Sequence, residues 1–130
     1  MSASADQIRD QQRSTWDEFS AGWRKWDAEL LGWHAPFGDA VIREAGLRPD
    51  SAVLDVAAGT GEPGLTAAGL VPRGSVALLD ISAGMLGVAA EKAAARGLAN
   101  VHTAVGDAAA LPFDDGSFDA VLCRFGFMFF

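Results

Sequence analysis

The sequence predicts an α/β fold in which a parallel sheet is flanked by helices, and three observations carry that reading. Short apolar runs end in an acid at near-even spacing, giving Asp55, Asp80 and Asp107. Helical sequence separates the runs, so consecutive strands are joined by right-handed crossovers and run parallel. A glycine-bearing loop, AAGTGEPG (57–64), follows the first run. In open sheets of this kind the carboxyl ends of the strands converge on one ligand crevice.

Residues 1–13 are polar and are expected to fray. Trp16, Phe19, Trp23, Trp26, Leu30 and Trp33 then step by threes and fours along one helix face, weakened by Gly22 and Gly32. This stripe, which holds all four tryptophans, is read first as core packing of an N-terminal helix, with direct substrate contact as the alternative. A second helix is predicted from Pro36 to Ala45, with proline in its first turn and Gly46 as its stop. After the turn at Pro49-Asp50, Ala52–Val56 reads as strand one, and Pro63 opens the next helix. Pro72-Arg73-Gly74 turns the chain into strand two, Ser75–Leu79. Ser82 is an N-cap for a helix running to Arg96, with Met85, Leu86, Ala89 and Ala93 on one face and Gly97 ending it. Val101–Val105 is strand three. Asp115-Gly116 forms a tight turn into strand four, Phe118–Cys123.

Composition limits the partners. The 130 residues carry a net charge of −7 without a basic patch, which argues against nucleic acid. No long uncharged apolar run or apolar leader is present, so a membrane span is not expected. The single Cys123 can form no internal disulfide, which favours a reducing, cytoplasmic setting. Cys123 itself reads as a small buried hydrophobe. Asp114-Asp115 has no His or Cys cluster beside it, so no metal site is predicted.

The glycine loop suits the polar part of a nucleotide-like ligand, because Gly59 and Gly61 let it approach the main chain and free amides open the helix. GTGEPG (59–64) also satisfies G-x-G-x-x-G, so a nicotinamide dinucleotide remains an alternative. Asp80 stands where a carboxylate accepts both ribose hydroxyls in either case. Asp55 inside the end of strand one, and Asp107 where a carboxylate can accept an exocyclic amine, depart from the dinucleotide pattern.

VLDVAAGTG, LLDISAGML, GDAAALPFDDGSFDAV and LCRFGFMFF together resemble the class I S-adenosylmethionine-dependent methyltransferases, and most closely the ubiquinone and menaquinone biosynthesis group. The resemblance runs from about residue 15 to the end. It implies a Rossmann-like sheet of seven strands in the order 3-2-1-4-5-7-6, of which this chain supplies four, so the chain reads as the cofactor-binding part of a longer enzyme. It implies an N-terminal helical lid over residues 1–34 and an incomplete S-adenosylmethionine-binding domain over 35–130. By the same resemblance Asp55 holds the loop and the amino-acid end of S-adenosylmethionine, which the backbone of Ala57, Gly59 and Gly61 lines. Asp80 grips the ribose, Ile81 and Met85 pack on the adenine, and Asp107 with the amide of Ala108 reads its edge. Arg124, between Cys123 and Phe125, passes near the reactive methyl. The implied partner is a small-molecule methyl acceptor. No catalytic residue stands out: His34, in GWHAPFG, is the nearest candidate for a general base but reads first as an ordinary partly buried histidine, and His102 lies within strand three. Strand four is expected to be an open edge beside Phe125, Phe127, Met128, Phe129 and Phe130. That edge is a surface for self-association, and a non-catalytic interaction module using it is the alternative function.

Overall fold

A computed structural model describes residues 2–130. Two helices, α1 (Ala5–Lys25) and α2 (Asp27–Ala45), precede the strand–helix alternation. There follow β1 (Ala52–Val56), α3 (Gly64–Leu70), β2 (Ser75–Asp80), α4 (Ala83–Ala95), β3 (Val101–Val105) and β4 (Ala120–Leu122), then a 3₁₀ turn at Gly126–Phe129. The sheet order is β3-β2-β1-β4 and every pairing is parallel. Leu54 lies beside Ala77 on one side and Val121 on the other, and Leu78 beside Thr103. β4 therefore forms an open edge of the described sheet, with Val121 61% exposed.

The strands start and stop where their sequences dictate. The Ser82 hydroxyl accepts from the Met85 amide (3.0 Å) and caps α4. Gly97 closes that helix at φ +67°. The Asn100 side chain donates to the carbonyls of Ala68 (3.0 Å) and Val71 (2.9 Å), satisfying the end of α3. One sheet face packs Val53, Val76, Leu78 and Leu122 against Leu65 and Val71 near α3, Leu86 and Ala89 of α4, and Val41 and Ile42 of α2. Leu54, Val56 and Leu79 on the other face meet Phe113 and Phe118 from the loop before β4.

Three expectations about the helices are corrected. The N-terminus is helical from Ala5, because Ser4 and Gln7 form a reciprocal capping box: the Gln7 amide donates to the Ser4 hydroxyl (3.2 Å) and the Ser4 amide to Gln7 Oε1 (2.8 Å). The break between the first two helices falls at Trp26, not before Pro36. Pro36 sits inside α2. The tryptophan stripe is not core packing: α1 has no buried residue, and Trp26 and Trp33 are 52% and 74% exposed.

β4 is also shorter than the predicted 118–123. The Ala52 amide donates to the Asp119 carboxylate (2.8 Å) and the Asp119 amide to the Ala52 carbonyl (2.7 Å), tying that residue to the start of β1. Phe118 instead stacks edge-on against Phe113 at 5.0 Å.

Candidate functional site

The carboxyl ends of β1, β2 and β3 open into a cavity of about 660 Å³, within the range of small-molecule sites. Its floor is the Ala57–Thr60 loop, and α1 crosses above it. Eight of the ten predicted site residues line this cavity: Ala57, Gly59, Asp80, Ile81, Met85, Asp107, Ala108 and Arg124. Asp55 and Gly61 do not.

Asp55 works from behind the loop. It is fully buried, and its Oδ2 accepts from the Gly64 amide at 2.8 Å. Gly64 must be glycine for this, because a Cβ there would collide with Leu78 and lie 2.8 Å from the Asp55 carboxylate. Asp55 Oδ1 has no partner, and neither does the buried Nη1 of Arg124. Burial pushes the Asp55 carboxyl up to about 8, against the opposing pull of the Gly64 amide and the Arg124 charge. Gly61 packs the loop onto the core: at φ +112° a Cβ would approach Leu65 Cδ1 to 2.6 Å and Ala89 Cβ to 3.1 Å. Its close approach is to protein rather than to the cavity.

Asp80 is 9% exposed and joins two backbone segments. Its Oδ2 accepts from the Gly59 amide (2.8 Å) and its Oδ1 from the Ser82 amide (2.9 Å). Burial raises its carboxyl above the ordinary range, opposed by those amides. Asp107 accepts from the Ala109 amide (2.9 Å) and, through Oδ2, from Arg9 Nε of α1. The Ala109 amide, then Arg9, hold Asp107 below the ordinary carboxylate range. Ala57 and Phe125 are the two non-glycine residues with left-handed backbone, at φ +55° and +64° among the described residues. Both line the cavity, and such conformations cost about 1–2 kcal/mol each.

The upper wall comes partly from residues 1–34, where the resemblance implied a lid, but none of its rings was among the predicted site residues. Trp16 and Trp23 of α1, His34 of α2 and Phe125 and Phe129 form an arc of rings around it. Trp16 meets Phe129 at 5.2 Å and Trp23 at 6.3 Å; His34 meets Trp23 at 6.4 Å and Phe125 at 5.5 Å. The stripe at Trp16 and Trp23 was the available signal, but the same spacing describes a core face. Asp17 of α1 anchors this wall: its Oδ1 accepts from the Ser82 hydroxyl and from the Gly84 amide (3.1 Å), and those bonds lower its pKa. Among the described residues no helix is long and apolar enough to cross a membrane.

Comparison with known proteins agrees with this architecture. Residues 53–130 match a family described as "Methyltransferase domain". A demethylmenaquinone methyltransferase of Geobacillus kaustophilus is 40% identical over 94 residues, which cover 72% of this chain and 40% of that protein. The YcgJ protein of Bacillus subtilis superimposes with a TM-score of 0.65 at 34% identity, over 70% of this chain and 38% of that one. A phosphoethanolamine N-methyltransferase of Haemonchus contortus superimposes over 98% of this chain and 27% of its own, with a TM-score of 0.76; at 22% identity it speaks for the fold alone. The chain thus spans about two fifths of the Geobacillus relative. With a family match over more than half its length, and with its four strands in the order of that fold, the chain belongs to the class I S-adenosylmethionine-dependent methyltransferase family.

Proposed function

We propose that this chain holds S-adenosylmethionine across the carboxyl ends of β1–β3 and presents its methyl group to a small-molecule acceptor. The observation that carries the reading is Asp80. An ionised carboxylate offers about four acceptor positions, and the two backbone amides occupy two of them. The residue also lines the cavity, so the acceptor capacity its amides leave is open to ribose hydroxyls. Ile81 and Met85 beside it supply an apolar wall for the adenine, and Asp107 with the Ala108 amide supplies polar groups for its edge. Family membership sets aside the nicotinamide alternative for GTGEPG.

When bound, the cofactor supplies an electrophilic methyl on a sulfonium. The chain's task is positioning and exclusion of water, which bring two reactants to about 3 Å in a dry site. Asp55 serves this indirectly by fixing the Gly64 end of the loop. Residues 1–34 act as the lid, with α1 fastened over the cavity through Arg9 and Asp17. Residues 35–130 form the cofactor domain.

Calorimetric titration of the 130-residue chain with S-adenosylhomocysteine tests the proposal. Saturable binding at one site is expected. A chain that is folded by circular dichroism and takes up no ligand would overturn it.

A further inference from the structure

Six ionisable side chains line the cavity: Arg9, His34, Glu62, Asp80, Asp107 and Arg124. Five of them are committed or carry the wrong charge to take up a proton. Arg9 and Arg124 are cations. Glu62 accepts from the Thr66 hydroxyl (2.8 Å) and amide (3.1 Å) and from Arg96 Nη1 (2.7 Å). Asp80 is bonded to two backbone amides, and Asp107 to Ala109 and Arg9. His34 alone presents a titratable nitrogen with no competing bond, since its neighbours are the rings of Trp23 and Phe125. Phe125 follows Arg124 just past the end of β4, and His34 lines the same cavity as these two residues and the glycine loop.

We propose that His34 is the proton acceptor for a planar acceptor molecule bearing an acidic hydroxyl, bound within the arc of rings. The inference rests on the methyl-transfer reading. The acceptor's O–H bond breaks, its proton passing to the imidazole and its electron pair staying on oxygen. A phenolate oxygen pair then forms the bond to the methyl carbon as the C–S bond breaks, its pair returning to sulfur. The ring of His34 is suited to this. Burial first, and then the Arg124 charge, lower its pKa, so the ring is held neutral with a lone pair open, while the same Arg124 charge favours a phenolate beside it. The rings of Trp16, Trp23, Phe125 and Phe129 offer faces and edges to a flat guest.

The test uses 4-nitrophenol as the probe, because its phenolate absorbs where the phenol does not. With the chain saturated in S-adenosylhomocysteine, bound probe is expected to ionise at a lower pH than in buffer. His34→Gln should move that ionisation back by about one pH unit, a tenfold change in the constant. A second readout needs no variant. The chain has two histidines, and His102 on β3 is exposed, so it serves as an internal reference in an NMR titration of the imidazoles. The His34 resonance should titrate at higher pH when probe is bound, because a neighbouring anion favours the imidazolium. Identical probe ionisation in His34→Gln, a His34 titration indifferent to the probe, or no saturable probe binding would each overturn the proposal. S-adenosylhomocysteine titrated alone reads the cofactor site separately, so failure there is distinguishable from failure of His34.

Discussion

Asp80→Ala is expected to weaken S-adenosylhomocysteine binding by about tenfold to a hundredfold. The lower bound comes from the ribose alone, because a hydrogen bond to a charged group contributes about 1.5–3 kcal/mol and each 1.4 kcal/mol is tenfold in affinity. The structure adds a second loss. The amides of Gly59 and Ser82 both donate to this carboxylate, and a buried N–H left without a partner costs about 1–3 kcal/mol. The glycine loop and the start of α4 would thus lose their common tie as the ligand loses its anchor. Asp80→Asn should fall between the two, since its one carbonyl oxygen satisfies one amide while its NH₂ group faces the other, donor against donor. Calorimetric affinities of the three proteins decide this, and equal affinity in wild type and Asp80→Ala would remove Asp80 from the site.

The second large effect concerns pH and Asp55. Its carboxyl is fully buried, bonded on one oxygen only, and titrates at about 8 in the folded chain. In the unfolded chain an aspartate titrates near 3.9. Between those values the native state holds a proton that the unfolded state has released, so stability falls as pH rises. The contribution is fully present below about pH 4 and is lost as pH climbs through about 8. The slope is on the order of 1 kcal/mol per pH unit. Asp55→Asn keeps an oxygen for the Gly64 amide and has no charge to develop. Urea unfolding of both proteins at pH 5, 6, 7 and 8 should show wild type losing ground to Asp55→Asn at each step. Parallel curves would mean that Arg124 or bound water keeps the carboxylate ionised. Asp17 and Asp107, whose pKa values are lowered, change protonation only below about pH 4 and add no slope in this window.

The strands were legible because their signals are local. Ala52–Val56 and Val101–Val105 are apolar runs bounded by turn residues or acids, and the structure reproduces both. Strand four was overextended because Phe118 and Asp119 look like strand residues. Only the tertiary pairing of Asp119 with Ala52 and of Phe118 with Phe113 shows otherwise. The helix break at Trp26 was hidden because Trp23, Trp26 and Leu30 continue the three-and-four stepping across it. The capping box at Ser4 and Gln7 was present in the sequence, but the sparse apolar positions of residues 1–13 do not show what holds the helix. Its helix is held from outside, by Asp17 on α4 and Arg9 on Asp107. In the site, the acids could be placed because each lies within two residues of a strand end, and the loop glycines because they follow β1 within five. Whether Trp16 and Trp23 face a core or a cavity could not, since periodicity gives the face of a helix and not what lies opposite.

The fastening of α1 sets how this helix responds to its surroundings. No residue of α1 is buried. Apart from its rings, the helix is tied down by Arg9 to Asp107, by Arg24 to Glu91 at 2.8 Å, and by Asp17 to Ser82 and Gly84. The sheet beneath is held by apolar burial. Charge pairs weaken as the Debye length shrinks from about 10 Å at 0.1 M salt to about 3 Å at 1 M, while burial does not. Ionic strength should therefore loosen α1 alone: amides of residues 5–25 exchange faster with deuterium in high salt, and those of β1 and β2 keep their protection. The residence time of a ligand beneath that helix becomes a property of the electrolyte as much as of the binding groups.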